Sequence, residues 1–328
     1  RPDMHKRLDR KLAAIRAGDY EPKDFIIADA KDGDMAFGIP TPGKAPDGRW
    51  KPLRAYRDDM IEVTRADVVD IMLMSLSSAE VLAAEGVFGG SKVTPAVRLN
   101  DASDIWSMRG GRYQAEPALP FRTVRPSRAR PVADLGLYAI TFYNDLARDA
   151  QTLDEYSNFR IEATGQNIRH FLEVFNPQTD VNTPDFWAFN NDAIARCLAG
   201  VSHIDRPIFL KAAYNGPRAT EEIACYDPGN LIFGILGGSS GTTRDCLELL
   251  KQAEKYGARV ALFGRKIYYS DNSVLMVKAM RRVLEEGITS EEGVKAYHND
   301  LAKAGITPQR DLRDDLELTE TLLRENLA

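Results

Sequence analysis

The feature that most constrains the fold is a regular alternation of short apolar runs with helix-length intervals. Eight such runs start near residues 25, 68, 93, 135, 170, 207, 231 and 259. Apolar strands that alternate with helices form parallel sheets covered by those helices. Eight of them in 328 residues favour an α/β protein with a (β/α)8 TIM barrel over an open, doubly wound sheet. The first run also lacks the Gly-x-Gly-x-x-Gly sequence that a dinucleotide-binding open sheet would carry.

The segments outside the strand–helix units can be explained as additions to a single barrel. We therefore interpret residues 1–328 as a single catalytic domain with extra helices at both ends, predicted at 5–18, 290–304 and 311–326. One irregular, arginine-rich loop, at about 100–134, is inserted between the third and fourth strands. A connection of that length is expected to be a lid, a binding loop or an interface arm.

The bulk composition excludes several classes of partner. The net charge of −5 gives no overall basic field for nucleic acid. No apolar run reaches membrane-spanning length, and the opening residues lack the apolar segment of a secretory signal. The three cysteines are too few and too far apart for a disulfide framework. We expect a cytoplasmic protein that binds neither nucleic acid nor membrane.

Chemically useful side chains are found at several predicted strand ends, where barrel enzymes place their functional groups. Lys211 ends the sixth run, directly after apolar residues 207–210. Poor solvation there disfavours the ammonium form, which makes the amine a usable nucleophile. Taken alone, a lysine at such a position is more often structural than catalytic. The residues at the other strand ends must therefore decide between the two roles. The other catalytic candidates are Asp32 after the first strand, Tyr143 after the fourth and Glu173 in the fifth. Asp29 and Lys31 of the first strand, Arg98 of the third and Tyr214 after the sixth are candidates for binding the substrate.

The last two strand ends predict a phosphate site. GGSSGTT at residues 237–243 offers flexible backbone N–H groups at Gly237 and Gly238, the hydroxyl of Ser239 and a helix N-terminus. Gly264 and Arg265 follow the eighth strand, and a guanidinium there can bind phosphate through two hydrogen bonds. Loops after strands seven and eight commonly form phosphate sites in barrels. The alternative is that these residues only make tight turns and cap a helix.

The same segments resemble a known superfamily. LKAAYNGP, LIFGILGGSSGTTRDCLELLKQAEKYGA and RVALFGRKIY are similar to the last three β/α units of the deoxyribose-phosphate aldolase and class I fructose-bisphosphate aldolase superfamily. The resemblance covers about 205–285, extends faintly to 25–38 and is absent from 100–134. It implies a divergent Schiff-base aldolase, a cofactor-free lyase that acts on a phosphorylated sugar and commonly forms homo-oligomers.

The resemblance also implies residue roles. Lys211 would form the Schiff base, Gly237, Gly238, Gly264 and Arg265 would hold the phosphate, and Asp32 would be an acid/base or a hydroxyl-orienting carboxylate. Where the fructose-bisphosphate branch has a catalytic tyrosine after strand five, this chain has Phe175. Tyr143, Tyr214 and Glu173 are the open alternatives for that proton donor.

The role of Lys31 and two alternatives to an aldolase remain open from the sequence. Lys31, among Asp29, Asp32 and Asp34, is expected to stay protonated through ion pairing and either to bind substrate or to hold the carboxylates. We expect no metal, because none of the four histidines follows a predicted strand. A Mg²⁺-dependent lyase or isomerase could nevertheless use Asp29, Asp32 and Glu173. A non-catalytic barrel that binds a sugar phosphate is the third possibility.

Overall fold

The centre of the molecule is a closed barrel of eight parallel strands. It is seen in a computed structural model that describes residues 5–327. The strands follow one another around the barrel in chain order, and β8 closes the barrel against β1. The predicted fold class is therefore confirmed, with every predicted strand present. The strands are β1 (Ile26–Lys31), β2 (Ile71–Met74), β3 (Thr94–Arg98), β4 (Leu135–Thr141), β5 (Arg169–Phe175), β6 (Leu210–Ala212), β7 (Gly234–Leu236) and β8 (Val260–Phe263).

Helices cover the outside of the barrel and extend both ends of the chain. Short 3-10 turns at Pro22–Asp24, Ser103–Ile105 and Tyr113–Ala115 complete the secondary structure. The α-helices are α1 (Arg7–Arg16), α2 (Asp34–Phe37), α3 (Leu53–Arg65), α4 (Leu76–Ala84), α5 (Pro126–Ala129), α6 (Leu146–Gly165), α7 (Phe186–Ala199), α8 (Pro217–Tyr226), α9 (Thr243–Lys255), α10 (Arg265–Tyr268), α11 (Ser273–Glu285), α12 (Ser290–Lys303), α13 (Leu312–Asp315) and α14 (Thr321–Glu325). None of these helices is long and apolar enough to cross a bilayer.

The barrel interior is packed at its amino end. Leu8, Leu12 and Ile15 of α1 belong to the same buried cluster as inward-facing residues such as Ile26 and Val260. Since α1 fills this end, open space inside the barrel is left at the carboxyl ends of the strands.

Two parts of the predicted secondary structure need correction. The predicted helix at 311–326 is two short helices, because residues between them bond to α9 instead of to each other. Asp245 accepts hydrogen bonds from the N–H and hydroxyl of Thr319, and Thr242 donates to the carbonyl of Glu317. The loop at 100–134 is mostly irregular, as predicted, but contains an antiparallel pair of two-residue strands, Asp101–Ala102 and Pro120–Phe121.

Candidate active site

A cavity of about 460 Å³ opens at the carboxyl ends of the strands. The barrel fold itself produces this arrangement, because the carboxyl ends of all eight parallel strands meet at one rim. Eight of the residues predicted from the sequence line the cavity together. They are Asp32, Arg98, Glu173, Lys211, Gly237, Gly238, Gly264 and Arg265.

Lys211 and Glu173 line the cavity next to each other. The two residues are direct register partners on β6 and β5, so their side chains project from neighbouring strands on the same, inner face. Lys211 Nζ lies 3.2 Å from Glu173 Oε2, and the side chains are only 7% and 3% exposed. A largely desolvated amine therefore has a carboxylate within proton-transfer distance.

Arg98 connects this pair to Asp32. Its Nη1 lies 2.9 Å from Asp32 Oδ2 and 3.4 Å from Glu173 Oε1, and its Nε donates to the carbonyl of Asn100 at 2.9 Å. Its Nη2 is buried and has no hydrogen-bond partner in the described chain. Arg98 lines the cavity, and a buried donor that lacks a partner is a candidate for contact with a bound ligand.

The two glycine loops form one wall of the cavity. Gly264 lies so close to β1 that a Cβ there would come within 2.6 Å of the Ala30 carbonyl oxygen. Gly238 has φ +72°, and no acceptor within residues 5–327 takes its N–H. Arg265 lies with its guanidinium carbon 5.3 Å from the centre of the Phe37 ring and forms no ion pair in the part of the chain described. This wall therefore presents an unpaired cation and a free backbone donor.

Two expected parts of the phosphate site, the N-terminus of α9 and Ser239, do not contribute to the cavity. The first N–H of α9, that of Thr243, donates to Asp315 Oδ1 at 2.8 Å, and the Thr243 hydroxyl donates to Asp315 Oδ2 at 2.6 Å. Helix α13 thus already supplies an anion to this helix N-terminus. Ser239 does not line the cavity either, and its carbonyl accepts from Lys266 Nζ at 2.9 Å. The predicted ligand contacts of Ser239 and of the helix end are not supported.

Asp29 and Lys31 were expected to bind substrate, and the structure places both outside the cavity. Side chains alternate along β1, so Ala28 and Ala30 point into the barrel while Asp29 and Lys31 point towards the helices. Lys31 Nζ lies 2.5 Å from Asp29 and 3.0 Å from Asp59. Burial opposes the charge on Lys31, yet the two carboxylates raise its pKa, whereas burial raises the pKa of Asp29 to about 6. Lys31 therefore holds carboxylates, the second of its two predicted roles.

The two candidate tyrosines also lie behind the cavity wall. The Tyr214 hydroxyl donates to Gln252 Oε1 at 2.9 Å, in the layer between barrel and helices, so it cannot bind a ligand in the cavity as predicted. The Tyr143 hydroxyl donates to Asp104 Oδ1 at 2.9 Å and accepts from the N–H of Ala118 at 2.7 Å. Neither ring lines the cavity, but Asp104 does.

Sequence reasoning missed Asp104 and three aromatic side chains. Asp104 belongs to a 3-10 turn in the irregular loop, where no periodicity indicates which side chains face inward. Tyr56, Tyr268 and Tyr269 line the cavity from helices α3 and α10 and the residue after α10. For Tyr268 and Tyr269, the only hint in the sequence was their position in RKIYY, directly after Gly264.

The residues that the alternative Mg²⁺-dependent enzyme would use do not converge. Asp29 points away from the cavity, and Asp32 and Glu173 both bind Arg98. Within residues 5–327, no group of three or more His, Cys, Asp or Glu side chains is arranged to hold a metal ion.

Comparisons with known proteins support the fold. No family model matches the sequence, and no curated protein matches it. A Schiff-base-forming fructose-1,6-bisphosphate aldolase superposes with a TM-score of 0.60 at 16% identity, covering 84% of this chain and 99% of that one. An archaeal fructose-1,6-bisphosphate aldolase, with its catalytic lysine covalently bound to a carbinolamine intermediate, gives 0.61 at 16% identity and the same coverage. A protein of Corynebacterium glutamicum gives 0.50 at 15% identity, covering 86% and 98%. The chain therefore has the TIM-barrel fold of Schiff-base aldolases.

Proposed function

We propose that this protein is a class I aldolase that cleaves or forms a carbon–carbon bond in a phosphorylated sugar through a Schiff base on Lys211. One observation carries the proposal above all others. The amine of Lys211 lies at the carboxyl end of β6, nearly buried, lining the cavity and 3.2 Å from a carboxylate. The fold shared with Schiff-base aldolases supports it. No cofactor is needed for this chemistry, because the lysine itself becomes the electron sink.

Glu173 is suited to the proton transfers at Lys211 nitrogen. As a base it takes a proton from the ammonium, and the free amine then attacks the substrate carbonyl to give a carbinolamine. As an acid it returns that proton to the carbinolamine hydroxyl, which leaves as water and generates the iminium. The 3.2 Å separation between Lys211 Nζ and Glu173 Oε2 lies at the edge of hydrogen-bond reach for such a pair.

Arg98 and Asp32 are suited to orient the sugar. Asp32 Oδ2 is fixed by Arg98 Nη1 at 2.9 Å, and a fixed carboxylate can accept a hydrogen bond from a substrate hydroxyl. The unpartnered Nη2 of Arg98 can donate to a second substrate oxygen. We infer that these two residues bind the carbons nearest the scissile bond, beside Lys211.

Arg265 and the N–H of Gly238 are suited to the phosphate. The Arg265 guanidinium forms no ion pair in residues 5–327, and anions bind well where a cation and a free backbone donor meet. We expect Arg265→Met to raise KM for a phosphorylated substrate by about 10- to 100-fold with a smaller change in kcat, because one charge-assisted hydrogen bond contributes about 1.5–3 kcal/mol.

Steady-state kinetics with and without competing inorganic phosphate measure this effect. Arg49→Met is the matched control, since Arg49 is 88% exposed and lies outside the cavity. An unchanged KM in Arg265→Met, or an equal effect in Arg49→Met, would contradict the assignment.

A homo-oligomeric assembly and a cytoplasmic location complete the proposal. The first follows from the resemblance to aldolases and the second from composition. Light scattering of the purified protein measures the assembly, and a monomer at micromolar concentration would contradict it.

A further inference from the structure

We propose that Asp104 is the acid/base that moves protons at the enamine carbon and at the substrate hydroxyl that becomes the aldehyde carbonyl. This inference rests on the proposed aldolase function and adds the residue that the sequence could not identify. The strand end after β5 presents Phe175 to the cavity, and a phenyl ring cannot exchange a proton. A second acid/base, besides Glu173 at the lysine nitrogen, must therefore come from elsewhere in the cavity wall.

The carboxyl of Asp104 is held in a fixed position in that wall. It lies in the 3-10 turn Ser103–Ile105, and the residue is 4% exposed. Its Oδ2 accepts from Thr141 Oγ1 at 2.6 Å and its Oδ1 accepts from the Tyr143 hydroxyl at 2.9 Å. Tyr143 is fixed in turn by the N–H of Ala118. Both oxygens are thus oriented by hydroxyl groups of β4 and the residues after it.

Asp104 differs from the other two carboxyls of the cavity in having no cation among residues 5–327 as a direct partner. Asp32 pairs with Arg98, and Glu173 pairs with both Arg98 and Lys211. A carboxyl that accepts hydrogen bonds only from hydroxyls lacks an adjacent opposite charge favouring its ionised form, so it can take up and release a proton more readily. The cavity therefore contains two kinds of carboxyl, which is the usual arrangement for separate acid/base roles.

The surroundings of Asp104 also favour the uptake of a proton by its carboxyl. Burial is the largest influence and raises its pKa, and the nearby charge of Glu173 adds to that effect. Hydrogen bonds from Thr141 and Tyr143 and the charge of Arg98 lower it without cancelling the rise. A raised pKa lies closer to neutral pH, where a carboxyl both accepts and donates a proton efficiently.

The tyrosines of the cavity are poorer candidates. The hydroxyls of Tyr268 and Tyr269 donate to the backbone carbonyls of Pro42 and Thr41 at 2.7 and 2.8 Å. Tyr56 accepts from the N–H of Gly33, and burial raises its pKa far above the usual range. None of the three is placed to act as a base at neutral pH.

The step assigned to Asp104 balances as follows. Its carboxylate takes the proton of the hydroxyl on the far carbon of the scissile bond, the carbon β to the iminium carbon. The C–O bond becomes a carbonyl, the carbon–carbon bond breaks, and its electron pair moves to the iminium to give an enamine. After the aldehyde leaves, protonated Asp104 gives its proton to the enamine carbon, and water releases the second product from Lys211.

The test separates formation of the Schiff base at Lys211 from proton transfer at the substrate carbon. In Asp104→Asn, we expect borohydride to trap a three-carbon ketone phosphate (dihydroxyacetone phosphate) on Lys211 as in wild type. Exchange of its carbon-bound hydrogen with deuterium in the solvent, followed by NMR, should fall by about 10²-fold or more, together with bond cleavage. Asp101→Asn is the matched control, because Asp101 is a buried carboxyl of the same loop that bonds to Thr123 and does not line the cavity.

The outcomes distinguish a failure of the Asp104 assignment from a failure of the proposed aldolase function. No trapped adduct in wild type contradicts the aldolase proposal itself. A trapped adduct with exchange at the wild-type rate in Asp104→Asn overturns the role of Asp104 alone. Thr141→Val, which keeps the carboxyl but removes one hydrogen bond to its charged form, gives a second readout that does not depend on the Asn variant folding. The pH at which the exchange rate falls off on the acid side should move upward, and an unmoved pH profile overturns the inference.

Discussion

Replacement of Lys211 by methionine is expected to abolish aldol cleavage, with a loss in kcat of at least about 10⁴-fold. Without the amine no iminium can form, and no second lysine of the described residues, 5–327, lines the cavity. Methionine has nearly the same length, so it fills the space of the lysine stem. Glu173 keeps Arg98 as a partner, so the fold should tolerate the change.

The matched control for this variant uses Lys31, a buried lysine near the barrel rim whose side chain does not line the cavity. In Asp29→Asn/Lys31→Met one acidic and one basic group are removed together from the ion pair behind β1. We expect activity within a few-fold of wild type, because both side chains face the helices. Activity that survives Lys211→Met, or that is lost in the double variant while its fold is intact, contradicts the assignment of the nucleophile.

Replacement of Arg98 by methionine should produce the largest loss of stability. Arg98 is 1% exposed and binds Asp32 and Glu173, so its removal leaves buried carboxylates with less compensation. Breaking a buried ion pair by removing one partner typically costs about 3–5 kcal/mol. We expect the free energy of unfolding, measured by chemical denaturation, to fall by about that amount.

A charge-balanced version of the same network is the control. Arg98→Met/Asp32→Asn removes one basic and one acidic group together, and Glu173 keeps Lys211 as its partner, so this variant should recover most of the lost stability. A loss below about 1 kcal/mol in Arg98→Met would show that the network is solvated rather than buried.

Much of the fold could be predicted because the apolar periodicity of the strands reflects their burial directly. The placement of Asp29 and Lys31 was also readable in principle. Ile26, Ala28 and Ala30 form the inward set of β1, and a period of two puts the charged residues outside. The error came from treating every charged residue at a strand end as facing the cavity.

Other parts of the site depend on contacts that local sequence does not show. Asp315 reaches the N-terminus of α9 from 72 residues away, and its presence there could not be predicted from the GGSSGTT loop. Asp104 is brought to the cavity by an irregular loop, where neither strand nor helix periodicity applies. Its hydroxyl partners, Thr141 and Tyr143, come from β4 and the residues after it.

The central claim is that Lys211 forms a covalent bond to the substrate, and one measurement tests it most directly. The protein is incubated with fructose 1,6-bisphosphate or dihydroxyacetone phosphate, reduced with borohydride, digested and analysed by mass spectrometry. The account predicts a stable adduct on the peptide that contains Lys211, dependent on both sugar phosphate and reductant, and absent from Lys211→Met. Cleavage of the sugar phosphate without any adduct, or an adduct on a different lysine such as Lys31, would contradict it.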